Sequence, residues 1–341
     1  MRFRVFYKAR RAEVRCLALL EERFSTAGWC RNLIQAGGVR PDERVLVVVD
    51  EPLAEEGSEL AAAVRDAGGE PRLELWAGKR PLSAPPPGAA AAAEDADLLL
   101  FLAQEPRPDE AGARIALGET ARGDGGRVIF MGFVDGELLR GELSRPAPEL
   151  GPPARKLLAE VEGADRIHIR GRAGTDLSFR ITGRGWLTDC LPLAPGGFAN
   201  YPGGEIFTSP LEDSAEGILV ADLTVPYTVE GLVDEPVTLR FEGGSAQSIE
   251  GGRAAELLRE IVEEAGPSGR VVAELGIGLN HTIVPRGHIM LDEKAGRTAH
   301  VAIGSNVGAY GGTNRSTIHV DCVFSEPELE VDGRRVEIPT A

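Results

Sequence analysis

The feature that most constrains the fold is an alternation of short apolar runs with helical patterns in the first 150 residues. Residues 44–49 (RVLVVV) form a β-branched run that ends at Asp50. Residues 58–67 (SELAAAVRDA) then have a helical pattern that stops at two glycines, and an apolar stretch follows at 71–76. This strand, helix, strand order predicts a layered α/β domain.

The same unit recurs further along the chain. An apolar run at 98–103 (LLLFLA), a helical segment near 108–122 and a second run at 127–133 (RVIFMGF) repeat the order. Between the two units, residues 83–93 (SAPPPGAAAAA) predict a surface connection that runs into a helix, because a run of prolines cannot continue a strand.

From about residue 164 the pattern changes to short strand-like pieces separated by Gly, Pro and Asp. Examples are 166–170 (RIHIR), 176–181 (DLSFRI), 218–225 (ILVADLTV) and 236–244 (PVTLRFEGG). One amphipathic helix is predicted at 252–265. We therefore predict an N-terminal α/β layer domain followed by a β-rich α+β metal-binding domain.

The length of 341 residues exceeds what a single core usually supports, which favours two domains. A proline-rich stretch at 144–156 (SRPAPELGPPARK) separates the two patterns. We place the boundary between residues 155 and 156, so that the α/β domain covers 1–155 and the catalytic, metal-binding domain covers 156–341.

Charge and composition limit the partners. The formal net charge of −16 repels nucleic acid and anionic membranes, since both attract basic proteins. No segment has the roughly 18 uncharged apolar residues of a membrane helix, and the basic start (MRFRVFYKARRAEVR) lacks the apolar run of a secretion signal. We expect a cytoplasmic protein that binds neither nucleic acid nor membrane.

The four cysteines are scattered and contain no CxxC pair, which argues against a disulfide framework and a cysteine-built zinc site. We expect reduced, mostly buried thiols at Cys16, Cys30, Cys190 and Cys322. Two glycine-rich stretches, GGFANYPGGE and GAYGGTNRS, lack the spacing of known phosphate-binding loops, so a nucleotide site is not expected.

Histidine is concentrated near the C-terminus. Four of the five histidines fall between 281 and 319, and this side chain both ligates metals and titrates near neutral pH. For His281 and His288 a plain surface or core role stays open. His168 lies in an alternating strand pattern, where a structural role is the simpler interpretation.

The strongest chemical signal is the sequence Ile-His-Val-Asp that contains His319 and Asp321. Residues i and i+2 of a strand point to one face, so this imidazole and this carboxylate can reach one ion. His300 lies in a second strand-like piece. Glu274 lies within an apolar run and Glu205 follows a glycine turn, and a carboxylate in such surroundings needs a partner or a metal. Ligands of this kind suit zinc, cobalt, manganese or iron(II).

The same residues carry a resemblance to a known family. Between about 170 and 322 the chain is similar to the thermophilic aminopeptidase family, also called aminopeptidase T. The shared segments, in chain order, are GTDLSF (174–179), NYPGGEIFTSP (200–210), AELGIGLN (273–280), LDEK (291–294), AHVAIG (299–304), GGTNRS (311–316) and HVD (319–321).

This resemblance implies a two-domain metallopeptidase that removes N-terminal residues from peptides. It implies two divalent ions (Zn, Co or Mn), a homodimer, and a catalytic role for Glu205 and Glu274. The implied metal ligands are Glu205, Glu274, His300, His319 and Asp321. The family usually has a further tyrosine ligand seven residues after the histidine matched to His300.

At that position this chain has valine, Val307, which cannot bind a metal, and Tyr310 lies three residues further on. Either Tyr310 or a water replaces the missing ligand. The alternative function is that of the dihydroxypyridine ring-cleaving dioxygenases, whose fold this chain also resembles. They hold one iron(II) by two histidines and an aspartate, here His319, Asp321 and either His300 or His281.

Overall fold

A computed structural model describes residues 27–190 and 192–339 of the chain. The predictions for the basic N-terminal stretch and for Cys16 lie outside the described residues. Cys30, Cys190 and Cys322 are free thiols. None of the described helices is long and apolar enough to cross a lipid bilayer.

The N-terminal part is built on a parallel sheet of five strands in the order β2-β1-β3-β4-β8. Its strands are β1 (Arg44–Asp50), β2 (Glu70–Trp76), β3 (Leu98–Ala103), β4 (Arg127–Gly132) and β8 (Phe198–Asn200). Its helices are α1 (Gly28–Gly37), α2 (Ala54–Asp66), α3 (Pro87–Ala93), α4 (Ala111–Arg122) and α5 (Gly136–Arg140). Short 3-10 turns lie at Glu51–Leu53, Pro108–Glu110 and Glu142–Ser144.

Helices cover both faces of this sheet, which explains why β1 and β3 are apolar at nearly every position. Val47 faces a core that includes Leu33 of α1 and Leu60 of α2. The neighbouring Val48 faces the opposite core with Leu117 of α4. Alternate residues of one strand therefore supply two separate cores.

The C-terminal part contains two antiparallel sheets, one of seven strands in the order β12-β11-β10-β6-β5-β16-β17 and one of five in the order β15-β14-β13-β9-β7. The first comprises β5 (Arg166–Arg170), β6 (Asp176–Arg180), β10 (Glu216–Ala221), β11 (Val237–Glu242), β12 (Ser245–Glu250), β16 (Glu328–Val331) and β17 (Arg334–Val336). The second comprises β7 (Leu187–Thr188), β9 (Glu205–Thr208), β13 (Val272–Gly278), β14 (Thr298–Gly304) and β15 (His319–Ser325).

Three helices accompany these sheets: α6 (Gly151–Val161), α7 (Arg253–Ala265) and α8 (Ile289–Asp292), with 3-10 turns at Pro267–Arg270 and Gly308–Tyr310. Leu157 of α6 and Leu258 of α7 are fully buried in one core with residues of both sheets, among them Leu239 and Val301. One face of the antiparallel five-stranded sheet thus packs against a continuous apolar layer.

The predicted fold class is confirmed, because a parallel α/β layer is followed by antiparallel sheets. The domain boundary between 155 and 156 stays a prediction. Helix α6 spans that position and packs into the C-terminal core, while β8 lies beyond it and pairs with β4 of the first sheet.

Candidate metal centre

All five residues predicted as ligands lie on the antiparallel sheet of five strands, β15-β14-β13-β9-β7. Glu205 begins β9, Glu274 lies in β13, His300 lies in β14, and His319 and Asp321 lie in β15. The strands pair in register, with Glu205 opposite Gly278 and Asp321 opposite Ala302. Four neighbouring strands therefore bring these side chains together from distant parts of the sequence, although their role as ligands stays a prediction.

A glycine makes room for the central imidazole. Gly276 of β13 pairs with His300 of β14, and a Cβ added to Gly276 would lie 2.0 Å from Cε1 of the imidazole ring. Real atoms do not approach so closely, so the ring occupies the space that any side chain at position 276 would fill. The first glycine of the GIG segment within AELGIGLN is therefore needed to make room for the His300 ring.

Among the described residues, two groups of side chains have the geometry of a metal site. One group is Glu274, His319 and Asp321, the other is Glu293, His300 and Asp321, and within each group the ligand atoms lie within 4.8 Å of one another. Each group has one imidazole, and both use Asp321. This arrangement offers two adjacent ion positions linked by a shared carboxylate.

The individual distances show that Glu274 and Asp321 are close to both imidazoles. Nε2 of His319 lies 3.0 Å from Oε2 of Glu274 and 3.3 Å from Oδ1 of Asp321. Nε2 of His300 lies 3.8 Å from the same Oδ1 atom, 3.5 Å from Oε1 of Glu274 and 3.8 Å from Oε2 of Glu205. Glu274 and Asp321 thus lie between the two imidazoles.

The orientation of these groups fits metal ligation. With Nδ1–H of His319 donating to the carbonyl of Ser305 at 2.8 Å, its Nε2 is left with a lone pair directed at the carboxylates. Oε2 of Glu205 is buried and has no hydrogen-bond partner in the described structure. A buried carboxylate oxygen without a partner is costly, and a cation would satisfy it.

A buried lysine, which was not predicted, holds one side of the centre. Lys294 is fully buried, and its Nζ lies 2.5 Å from Oε1 of Glu205, 3.0 Å from Oε1 of Glu293 and 3.2 Å from Oδ2 of Asp189. The backbone loop approaches it closely at Gly204, where a Cβ would lie 2.9 Å from Cβ of Lys294. The signal in the sequence was the segment LDEK, in which Glu293 and Lys294 stand side by side.

The mutual charges shift the pKa values strongly. Burial raises the pKa of Glu205 to about 8, although the charge of Lys294 opposes this. Burial alone lowers the pKa of His300, but its hydrogen bond to Glu274 and the charges of Glu205 and Asp321 raise it to about 10. In the same way, burial lowers the pKa of His319 while the charge of Asp321 and the bonds to Asp321 and Glu274 raise it well above its usual value. A divalent cation would replace these protons.

Aromatic side chains form the other wall of the site. A cavity of about 160 Å³ borders the carboxylates and imidazoles, and its aromatic lining consists of Phe130, Phe133, Phe207, Tyr227 and Tyr310. The ring of Tyr310 stacks on that of His319, with centroids 5.3 Å apart. Tyr310 is thus the tyrosine that lies at the centre, and Val307 is not among the lining residues.

The other histidines lie elsewhere. His281 is exposed and is in neither group of candidate ligands. The Nε2 atom of His288 lies 2.7 Å from the carbonyl oxygen of Phe133, just outside the cavity wall. His168 lies on β5 with Nε2 2.5 Å from Oδ1 of Asp176, in agreement with a structural role.

Residues 120–338 match the family described as NicX: 2,5-dihydroxypyridine 5,6-dioxygenase. The chain belongs to the NicX family. The match includes both candidate ion positions, α6 and the two antiparallel sheets, but only the last part of the N-terminal α/β layer.

Curated relatives of this NicX-family chain include enzymes of two classes. It is 27% identical over 187 residues to aminopeptidase T of Thermus aquaticus. The matched segment covers 49% of this chain and 44% of the relative. It is 32% identical over 149 residues to the 2,5-dihydroxypyridine 5,6-dioxygenase of Pseudomonas putida. This matched segment covers 40% of this chain and 41% of the relative. The chain thus matches less than half the length of each curated relative. The predicted resemblance to the aminopeptidase T family is confirmed.

Solved structures share the fold over nearly the whole chain. A 2,5-dihydroxypyridine dioxygenase from Pseudomonas putida superimposes with a TM-score of 0.72 at 21% identity and covers 92% of this chain and 95% of that one. AmpT from Thermus thermophilus superimposes with a TM-score of 0.67 at 18% identity and covers 90% and 96%. The NicX-family chain and both proteins therefore have one architecture, which serves enzymes of different chemistry.

Proposed function

We propose that this protein is a metal-dependent aminopeptidase that uses two divalent ions, with Glu205, Glu274, Glu293, His300, His319 and Asp321 as ligands. The observation that carries the proposal is that Glu274 and Asp321 lie between two imidazoles, while two candidate ligand groups overlap at Asp321. A shared carboxylate between two ion positions is the arrangement of two-metal hydrolytic sites.

The charges of the centre support two ions. Five carboxylates lie together, those of Asp189, Glu205, Glu274, Glu293 and Asp321, and Lys294 supplies one positive charge. With neutral histidines the cluster has four excess negative charges, which two divalent ions neutralise. A single divalent ion would leave two uncompensated charges in a largely buried site, which is costly.

The residues of the chain have distinct parts in the proposed hydrolysis. Two divalent ions bound here would polarise the scissile carbonyl and lower the pKa of a coordinated water toward neutrality. Lys294 fixes Oε1 of Glu205, which leaves the unpartnered Oε2 as the oxygen that would bind an ion. Glu274 contacts both imidazoles and keeps them in place.

A ring-cleaving dioxygenase is the second candidate function, favoured by the NicX family match and by the 32% identical relative. It requires one iron(II) held by two histidines and an aspartate, with open positions for the substrate and dioxygen. The cavity offers His300, His319 and Asp321, with Oδ1 of Asp321 3.8 Å from Nε2 of His300 and 3.3 Å from Nε2 of His319. His281, the other histidine considered, is exposed and outside both groups.

Metal analysis combined with two activity assays tests the proposal. We expect two zinc, cobalt or manganese ions per chain, and hydrolysis of aminoacyl-p-nitroanilides that stops when a chelator is added. The same preparation, loaded anaerobically with iron(II), is then assayed for oxygen uptake with 2,5-dihydroxypyridine. One iron per chain together with oxygen uptake, and no release of nitroaniline with any metal, would establish the dioxygenase instead.

A further inference from the structure

The cavity beside the metal centre has the size and lining for a single aromatic ring. Five of its fifteen lining residues are aromatic, although aromatic residues make up only 5% of the chain. Its volume is about 160 Å³. An apolar cavity of about 150 Å³ accommodates one benzene molecule. A space of this volume takes one ring.

Two of these rings are held by an unfavourable backbone conformation. Phe133 has φ 57° and Tyr227 has φ 64°, values in the left-handed region that bulky residues rarely adopt. Phe133 directly follows the strand β4 of the parallel sheet, and Tyr227 lies between β10 and β11 of an antiparallel sheet. Strain of this kind persists where the position of a side chain serves function.

The strained backbone brings the two rings into contact. Their centroids are 6.1 Å apart with an interplanar angle of 58°, within the range of favourable aromatic pairs. A hydrogen bond between Nε2–H of His288 and the carbonyl of Phe133, 2.7 Å long, holds the first ring from outside. Tyr227 is 48% exposed and lines the cavity, which places it at the mouth.

The opposite wall of the cavity is negative. It includes Glu205, Glu274, Glu293 and Asp321, whose carboxylates would face the polar end of a bound molecule. A ligand that fills this space needs a ring for Phe133 and Tyr227 and an amino group within a few ångströms of it. As an ammonium this group pairs with a carboxylate, and as a neutral amine it binds an ion. An amino acid with an aromatic side chain and a free α-amino group has both.

We propose that the cavity is a specificity pocket for the N-terminal residue of a peptide, that it selects phenylalanine or tyrosine, and that Phe133 and Tyr227 form the selecting wall. This proposal rests on the proposed aminopeptidase function. It assigns the ring of the substrate to the mouth of the cavity and its amino group to the carboxylate side.

Binding of the product amino acid tests the pocket without any turnover. L-Phenylalanine, L-alanine and 2,5-dihydroxypyridine are titrated by calorimetry into the full-length protein loaded with zinc. We expect phenylalanine to bind about tenfold more tightly than alanine. Tyr227→Leu and Phe133→Leu should remove this preference, whereas Tyr227→Phe, which keeps the ring, should retain it. Phe198→Leu, at a 45% exposed ring on β8 outside the cavity, is the control.

Equal binding of phenylalanine and alanine, or a preference that survives both leucine variants, would overturn the proposal. Tight binding of 2,5-dihydroxypyridine with none of phenylalanine would also overturn it, because the ring would then belong to a free aromatic substrate. Since Tyr227 lies at the surface, its leucine variant is expected to fold even if Phe133→Leu does not. Phenylalanine binding without hydrolysis of any peptide would count against the proposed function but support the pocket.

Discussion

The ammonium group of Lys294 lies 2.5 Å from Oε1 of Glu205, and both side chains are almost completely buried. Replacing this lysine by methionine keeps the volume but removes the positive charge that three carboxylates share. We expect Lys294→Met to destabilise the metal-free protein by about 3–5 kcal/mol, because uncompensated buried charges remain. Urea unfolding measures the change.

Added zinc should recover part of this loss, since cations bind and stabilise the folded state. Lys156→Met is the matched control, because the side chain of Lys156 is 61% exposed and its ion pair with Glu337 is weak at 3.9 Å. Equal stability of the Lys294 and Lys156 variants would contradict the importance of the buried ammonium group.

The second prediction concerns the space for His300. A methyl group at position 276 would overlap the imidazole, so Gly276→Ala should displace this ligand and weaken metal binding by about 10–100-fold. Gly185→Ala is the control, because a Cβ there meets nothing within 4 Å. Competition with a chelator gives both affinities. If the two variants bind zinc equally well, His300 is not a ligand.

The third prediction is that His319 and Asp321 act as a unit. Their ligand atoms are 3.3 Å apart on one face of β15, so loss of either leaves an under-coordinated ion. Each alanine variant should lose activity by a large factor, and the double variant should be little worse, since residues that act on one ion are not additive. His281→Ala, at an exposed position, should behave like the wild type. Single losses that simply add would show independent roles.

The fourth prediction distinguishes Tyr310 from a water as the further ligand that the aminopeptidase resemblance implies and that Val307 cannot supply. Tyr310→Phe retains the ring that stacks on His319 but lacks the hydroxyl group. If the hydroxyl is a ligand, we expect the metal content to fall from two ions per chain toward one, together with kcat. Elemental analysis after dialysis reports the content. Unchanged metal content and kcat would assign the position to a water.

The fifth prediction concerns acid stability of the N-terminal part. Burial raises the pKa of Glu110, but its bonds to Arg80, Leu82 and Trp76 outweigh this and lower it from 4.5 to about 2. A lowered pKa stabilises the folded protein above about pH 5, and this contribution is lost as the pH falls toward 2. Glu110→Gln should therefore destabilise by about 1–3 kcal/mol near neutral pH and by less at about pH 3. A difference that grows on acidification would contradict the assignment.

Sequence patterns predicted the elements whose contacts are local. The helix predicted at 252–265 is α7 at Arg253–Ala265, and the predicted strand at 166–170 is β5. Helix α6 was missed because its prolines indicated a linker. They lie in its first turn, where a proline needs no amide hydrogen and its fixed φ suits a helix.

Long-range features were not predictable in this way. Strand β8 has three residues, and nothing local indicates that they pair with β4 of a distant sheet. Of the centre, the sequence indicated five candidate ligands through the family resemblance and the strand periodicity. It gave no role to Asp189, and it marked Glu293 and Lys294 only as part of the shared segment LDEK. A charged residue is normally on the surface, and only the folded structure shows that these charges meet.

The late arrival of β8 has a consequence for how the chain is made. On the ribosome, β1 to β4 emerge first, and the edge of β4 (RVIFMG) that faces away from β3 has no neighbour until residues 133–197 have also been translated. During that interval the nascent chain exposes an unpaired strand edge, the kind of surface on which incomplete chains aggregate. Truncated products that end within 133–197 should therefore be insoluble, whereas those that extend past Asn200 have the strand that covers this edge.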